Sequence, residues 1–166
     1  MPPVRLELLQ RMPVFGAIRD DALRLLLEHA RVREAVRGDY FFHQNEPADS
    51  MFVLEHGRVA IVRRWKDEQI VLQHLGAGDC FGEMALMDLG TRSASVVAEE
   101  ECVAIEIGAA ELLHLYEHDV EQFALIQMNI GREVCRRLRA IDERLFQERL
   151  DRSPLAVEIL FRAGPD

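Results

Sequence analysis

The chain is short of several things whose absence narrows its chemistry. Only three cysteines occur in 166 residues, Cys80, Cys102 and Cys135, and none sits in a Cys-x-x-Cys pair. Neither a disulfide framework nor a thiolate metal centre is therefore expected, and a reducing, cytoplasmic setting fits. No stretch approaches the roughly 18 continuous apolar residues of a membrane-spanning helix, and the first residues lack a basic segment followed by an apolar run. Positive charge is also scarce. Twenty Lys and Arg stand against 29 Asp and Glu, for a net charge of -9, which argues against nonspecific attachment to nucleic acid or anionic membrane. Gly-x-Ser-x-Gly and His-Glu-x-x-His are both missing, so no nucleophile elbow or zinc-hydrolase signature supports an enzyme. His114 and His118, one helical turn apart, lack the further ligands of such a centre, and no metal or catalytic residue is expected.

What is present is an ordinary globular composition, 49% hydrophobic and 30% charged, in a length suited to one domain with an appendage. Clustered leucines between Val4 and Val32 suggest a short helix, a break at Pro13, and a second helix capped by Asp20. The group Leu9, Met12, Val14 and Phe15 reads as an apolar plug. From residue 35 to 107 the pattern changes to short strands, 40–43, 51–54, 59–62, 70–75, 94–97 and 103–107. They are separated by turns at Asn45-Glu46-Pro47, Glu55-His56-Gly57, Lys66-Asp67-Glu68 and Gly76-Ala77-Gly78-Asp79. Many short strands with glycine-rich turns favour a closed barrel or sandwich.

After Gly108 the period becomes helical: Leu112, Leu113 and Tyr116, then Phe123, Ile126, Ile130, Val134, Leu138, Ile141 and Leu145 at steps of three and four. That seam, about three heptads long, is expected to pair with a second copy around residues 120–146. Arg136, Arg137, Arg139 and Arg144 are interleaved with Glu133, Asp142, Glu143 and Glu148, which reads as a solvated face rather than a nucleic-acid stripe.

The most informative stretch runs from Cys80 to Val96. A glycine-flanked turn opens a short helix whose free N–H groups can receive an anion. Glu83, when ionised, only accepts hydrogen bonds and suits sugar hydroxyls, whereas the Arg92 guanidinium matches phosphate oxygens. Gly82 allows close backbone approach, and Gly90 permits the turn that returns Arg92 over the helix. These parts suit a nucleoside phosphate. The plainer reading is a surface ion pair around a tight loop.

Phe81-Gly82-Glu83-Met84-Ala85-Leu86 and, after the usual gap, Arg92-Ser93-Ala94-Ser95-Val96 resemble the phosphate-binding cassette of the cyclic nucleotide-binding domain family. The run from Gln44 to Leu54, followed by Gly57-Arg58-Val59, resembles the first half of that family's β-roll, with Asn45 where glycine is usual. Asparagine tolerates positive φ, so the turn is expected to survive. The resemblance covers roughly Leu9 to Leu150.

It implies a mostly β, jelly-roll-like β-roll (a double-stranded β-helix) with flanking helices and a long C-terminal helix. The expected segments are helical residues 1–34, roll and cassette 35–108, helices 109–150 and a short tail 151–166. The implied ligand residues are Phe81, Gly82, Glu83, Met84, Ala85, Arg92, Ser93 and Ala94. Gly82 and Glu83 would meet the ribose 2′-hydroxyl, Arg92 the cyclic phosphate, and Ala85, Ser93 and Ala94 the phosphate or nearby base. Ser93 after the arginine points to cAMP, with cGMP the alternative. The implied role is a non-enzymatic regulatory sensor, needing no cofactor, that reports through its C-terminal helix to an effector protein or fused effector domain. Two alternatives stay open: a protein-interaction module with the same fold, or the sensor part of a larger transcription factor, channel or transporter. Sixteen residues after Leu150 are too few for a helix-turn-helix, so direct nucleic-acid binding is not expected. Membrane contact by this chain is not expected either.

Overall fold

The computed structural model describes residues 3–66 and 68–152. Asp67, expected in a turn, and residues 153–166 of the expected tail lie outside the described residues. Two helices, α1 (Pro3–Gln10) and α2 (Asp20–Glu28), flank a 3-10 turn at Pro13–Phe15. Eight strands follow: β1 (Arg31–Ala35), β2 (Tyr40–Phe42), β3 (Ser50–His56), β4 (Arg58–Trp65), β5 (Glu68–Gly76), β6 (Cys80–Phe81), β7 (Ser95–Ala98) and β8 (Cys102–Gly108). A short helix α3 (Met84–Asp88) lies between β6 and β7, and α4 (Ala109–His118) and α5 (Val120–Arg152) close the sequence.

The strands form two antiparallel four-stranded sheets, ordered β1-β8-β3-β6 and β2-β7-β4-β5. The expected β-roll with flanking helices and a long C-terminal helix is therefore what the chain adopts. Burial on both faces explains why β3 and β6 of the first sheet read as runs of apolar residues. Side chains alternate across a strand, and in β3 Met51 and Val53 join a core with the helices, while Phe52 and Leu54 fill the roll interior. β8 divides the same way, Ile105 and Ile107 toward the helices and Cys102 and Ala104 inward. β6 gives Cys80 to one side and Phe81 to the other. The helical core gathers the plug Leu9, Met12, Val14 and Phe15 with α2 and with Leu112, Leu115, Ile126 and Ile130.

Several details depart from the sequence reading. β1 opens at Arg31, inside the stretch read as helical, and four of its five residues are exposed. Its ladder to β8, Arg31 opposite Glu106 through Ala35 opposite Cys102, is what makes it a strand. Asp20 does not cap α2. Arg19 occupies that position without a side-chain cap bond, and Asp21 instead accepts from the Ala22 N–H. Asn45 does take positive φ, at 71°. At the β4–β5 end Trp65, the chain's sole tryptophan, is 70% exposed.

The chain divides into two compact units, Met1–Gly131 and Arg132–Asp166. In the second unit, the described helical residues include Leu138, Ile141, Leu145 and Phe146, each about half exposed. Arg137 and Arg136 both pair with Glu133, the former through Nε at 2.9 Å.

Gly57 joins β3 to β4 where no side chain fits. Its φ is 92°, and an added Cβ would fall 2.4 Å from the Glu101 carbonyl oxygen and 2.6 Å from Cys102 Sγ. Gly57→Ala is expected to lower stability by about 2 kcal/mol or more, combining left-handed strain with a backbone clash. Urea unfolding followed by far-UV circular dichroism measures it.

Candidate ligand site

Arg92 is held by its backbone before its side chain does anything. Its N–H donates to the Glu46 carbonyl at 2.9 Å, its carbonyl accepts from Asn45 N–H at 2.8 Å, and Thr91 bridges Pro47. Three residues on, the Ser95 hydroxyl oxygen accepts from Gln44 N–H at 2.8 Å. The segment 44–47 and the second half of the cassette, recognised separately in the sequence, are thus zipped together. The positive φ of Asn45 is part of that joint.

The guanidinium then turns into the roll and is only 6% exposed. Nη1 donates to the Ser50 carbonyl at 2.6 Å and to the Gly82 carbonyl at 3.0 Å, and Nη2 donates to Ser50 Oγ at 3.0 Å. The group lies over the Phe42 ring, 4.0 Å from its centroid, with Phe52 at 5.7 Å. Such a face attracts a cation and shields it from water. Ser50 in turn donates to Glu106 Oε1 at 3.0 Å, so a carboxylate reaches the arginine through one hydroxyl. Glu106 Oε2 is buried without a hydrogen bond, with Arg33 Nη1 3.8 Å away. Burial pushes the Arg92 guanidinium below its ordinary value, opposed by the charges of Glu106, Asp49, Glu46 and Glu83. Arginine ionises so high that it stays charged.

The other residues of the expected site divide by burial. Glu83 is 3% exposed at the start of α3, and Ala85 and Ala94 are buried. Met84 and Ser93 are exposed neighbours, the Ser93 hydroxyl 3.9 Å from Met84 Sδ. Phe81 is a core residue, stacked 5.2 Å from Phe52 with 12° between planes. Gly82, at φ 77°, leaves room for the arginine: an added Cβ would sit 2.5 Å from Arg92 Nη1 and 3.2 Å from Phe42. In the turn after α3, Leu89 is left-handed at φ 53°, and the Gly90 N–H donates to Asp88 Oδ1.

Phe42, Ser50 and Glu106 escaped the sequence reading because they come from three other strands. The signal available was a polar residue in an apolar strand: Ser50 opening Met51-Phe52-Val53-Leu54, and Glu106 between Ile105 and Ile107.

A buried cation with aromatic cover therefore sits inside a helix-flanked β-roll. Comparison with known proteins gives the family. Residues 32–119, just over half of the chain, match the family described as cyclic nucleotide-binding domain, and the chain belongs to it. It is 30% identical over 161 residues to the "Cyclic AMP receptor protein" of Thermus thermophilus, covering 92% of this chain and 71% of that protein. It is also 28% identical over 106 residues to a "cGMP-dependent protein kinase, isozyme 2" of Drosophila melanogaster, covering 60% of this chain but only 11% of the kinase. The solved cyclic nucleotide-binding domain from Methylobacillus flagellatus superposes with a TM-score of 0.77 at 20% identity, over 87% of this chain and 82% of that one, which speaks for the fold.

Ser50→Ala removes the hydroxyl that joins Arg92 to Glu106 and leaves buried polar atoms on both sides without a partner. A loss of about 1–3 kcal/mol is expected in urea unfolding. Glu106→Gln keeps an acceptor for Ser50 and should cost less.

Proposed function

We propose that this domain binds a cyclic nucleotide and acts as a regulatory sensor without catalysis. The single observation that carries the reading is the state of Arg92. Among the described residues, its three hydrogen bonds end on neutral acceptors. A buried charge so held is poorly compensated, and an incoming anion improves its electrostatics. The cyclic phosphate takes Arg92, the ribose 2′-hydroxyl takes Glu83 and the Gly82 backbone, and Ala85, Ser93 and Ala94 border the phosphate and base. Phe81 and Met84 support the cassette from inside and outside. Family membership supports the ligand class. Ser93, and the printed name of the Thermus relative, favour cAMP, while the likeness to a cGMP-dependent kinase keeps cGMP as the competitor to be measured.

Binding exchanges acceptors: the guanidinium gives up Ser50 and Gly82 carbonyls for phosphate oxygens. That movement has a route to the helices. Leu86 of α3 packs against the core that holds Ile126 and Ile130 of α5, and a Cβ on Gly131 would lie 3.8 Å from Met87 Cε. A shift of the cassette therefore presses on α5 within the first unit. For almost complete reversal between two positions, the ligand must prefer one by about 5.5 kcal/mol. The half-exposed Leu138, Ile141 and Leu145, spaced three and four apart, support a homodimer through the helix around residues 120–146. The output passes to an effector protein or a fused effector domain, as in a sensor belonging to a larger cytoplasmic regulator.

A second reading has its own observation. Arg92 already donates three hydrogen bonds to the protein, and two surface grooves among the described residues, of about 490 and 360 Å³, lie elsewhere, lined by residues such as Arg37, Arg58 and Glu99 or Arg33, Tyr40 and His43. A module that kept the fold for protein contacts would look the same. Thermal unfolding separates the two, because a ligand that binds the native state must raise its midpoint.

Isothermal titration with cAMP and cGMP tests the main reading. Wild type should bind at least one saturably, and Arg92→Ala should lose about 1.5–3 kcal/mol, roughly ten- to a hundredfold. Equal affinity in the two proteins would remove the assigned role of Arg92. For the dimer, Ile141→Glu should convert the sedimenting species from two copies to one without changing nucleotide binding at the roll.

A further inference from the structure

Three of the chain's six histidines come together away from the cassette. His29 follows the last residue of α2, and its ring lies 5.5 Å from that of His114 on α4, tilted by 49°. The His118 ring, one turn further along α4, is 4.3 Å from that of His114. Glu28 completes the group: one donor atom from each of Glu28, His29 and His114 falls within 4.8 Å of the others. In the sequence only the His114–His118 pair was visible, and it lacked further ligands. The fold supplies them from a different helix.

We propose that Glu28, His29 and His114 bind a divalent transition-metal ion at the junction of α2 and α4. Two imidazoles and a carboxylate are the donor set that Zn²⁺ and its neighbours Co²⁺, Ni²⁺ and Cu²⁺ take, whereas Ca²⁺ and Mg²⁺ want oxygen alone. Ligands held at about 2.1 Å from one tetrahedral ion stand about 3.4 Å apart. The donor atoms here lie within 4.8 Å of one another, so binding draws them together by up to about 1.4 Å, through side-chain rotation at exposed Glu28 and His29.

The backbones that carry the ligands are fixed independently. Leu26 and Leu27 of α2 and Leu112 and Leu115 of α4 are all buried in one core, so the ion meets a preformed junction. Charge favours it as well. The last turn of α2 contains no basic residue, and its carbonyl end attracts a cation. His118 stands outside the converging donor set and braces the helix turn that carries His114. Its Nδ1 lies 2.8 Å from the His114 carbonyl, which as a donor fixes the tautomer. The half-buried side of His114 and the exposed Glu28 leave room for water to finish the coordination sphere. The consequence is a cross-link between the helix before the roll and the first helix after it, independent of nucleotide.

The test uses the untagged full chain carrying Cys135→Ser, because the exposed Cys135 thiol is a competing ligand. Zn²⁺ titration by calorimetry should give one saturable site per chain, weakened at least tenfold by His29→Ala and equally by His114→Ala. His56→Ala serves as the control and should bind as the parent does. Zn²⁺ should raise the thermal midpoint by about 2–4 °C, an effect lost in both variants, while Ca²⁺ should do nothing. His29 is exposed, so its removal does not endanger the fold, and His114→Gln repeats the test if His114→Ala alters the far-UV spectrum. No saturable binding overturns the site. So does binding that survives either histidine change, or Ca²⁺ binding as tightly as Zn²⁺.

Discussion

The structure depends on one strand being buried from both sides. β3 lies in the middle of its sheet, between β8 and β6, and nearly every side chain it carries is out of water. Its two faces hold together two different cores, one of helices and one inside the roll. Full burial of a side chain of this size is worth roughly 1.5–3 kcal/mol. A polar substitution anywhere along Met51 to Leu54 would therefore damage both cores' common wall. The same strand begins with Ser50, whose carbonyl and hydroxyl hold Arg92, so the scaffold and the site share a residue's backbone.

That sharing accounts for the shape of the site. A guanidinium can be buried only if its donors are met, and here a strand terminus and a glycine carbonyl meet them. The cassette turn must then come within contact distance of the arginine, which only glycine at position 82 allows. The opposite side is closed by Phe42, and the chain beyond is zipped to residues 44–47. Together these constraints fix where the buried guanidinium sits. The carboxylate of Glu106 completes the arrangement at one remove, close enough to favour the cation and too far to neutralise it by direct pairing.

Much of the fold was legible because its determinants are local. The change from leucine clusters to short apolar runs and back to a three-four seam marked the helices, the roll and the last helix. β1 was hidden for a physical reason: Arg31-Val32-Arg33-Glu34 is an exposed edge, made a strand by pairing to β8 and not by its own pattern. The α2 start was misassigned because an acidic residue serves the first turn as well as the cap position. At the site, Gly82, Glu83 and Arg92 could be picked out because they fall in one contiguous segment. Phe42, Ser50 and Glu106 could not, since their meaning arises only when separate strands converge. In the turn that Gly90 was expected to permit, Leu89 takes a left-handed conformation, and the Asp88 side chain accepts from the following amide.

The placement of Trp65 has a spectroscopic consequence. The chain's single indole stands at the tip of a hairpin, in water already, so its emission in the folded protein should resemble that of the denatured chain. Collapse or loss of either core would pass almost unseen by that fluorophore. What it would register is a surface arriving at the β4–β5 tip, which makes an unmodified protein its own optical reporter of docking at that hairpin.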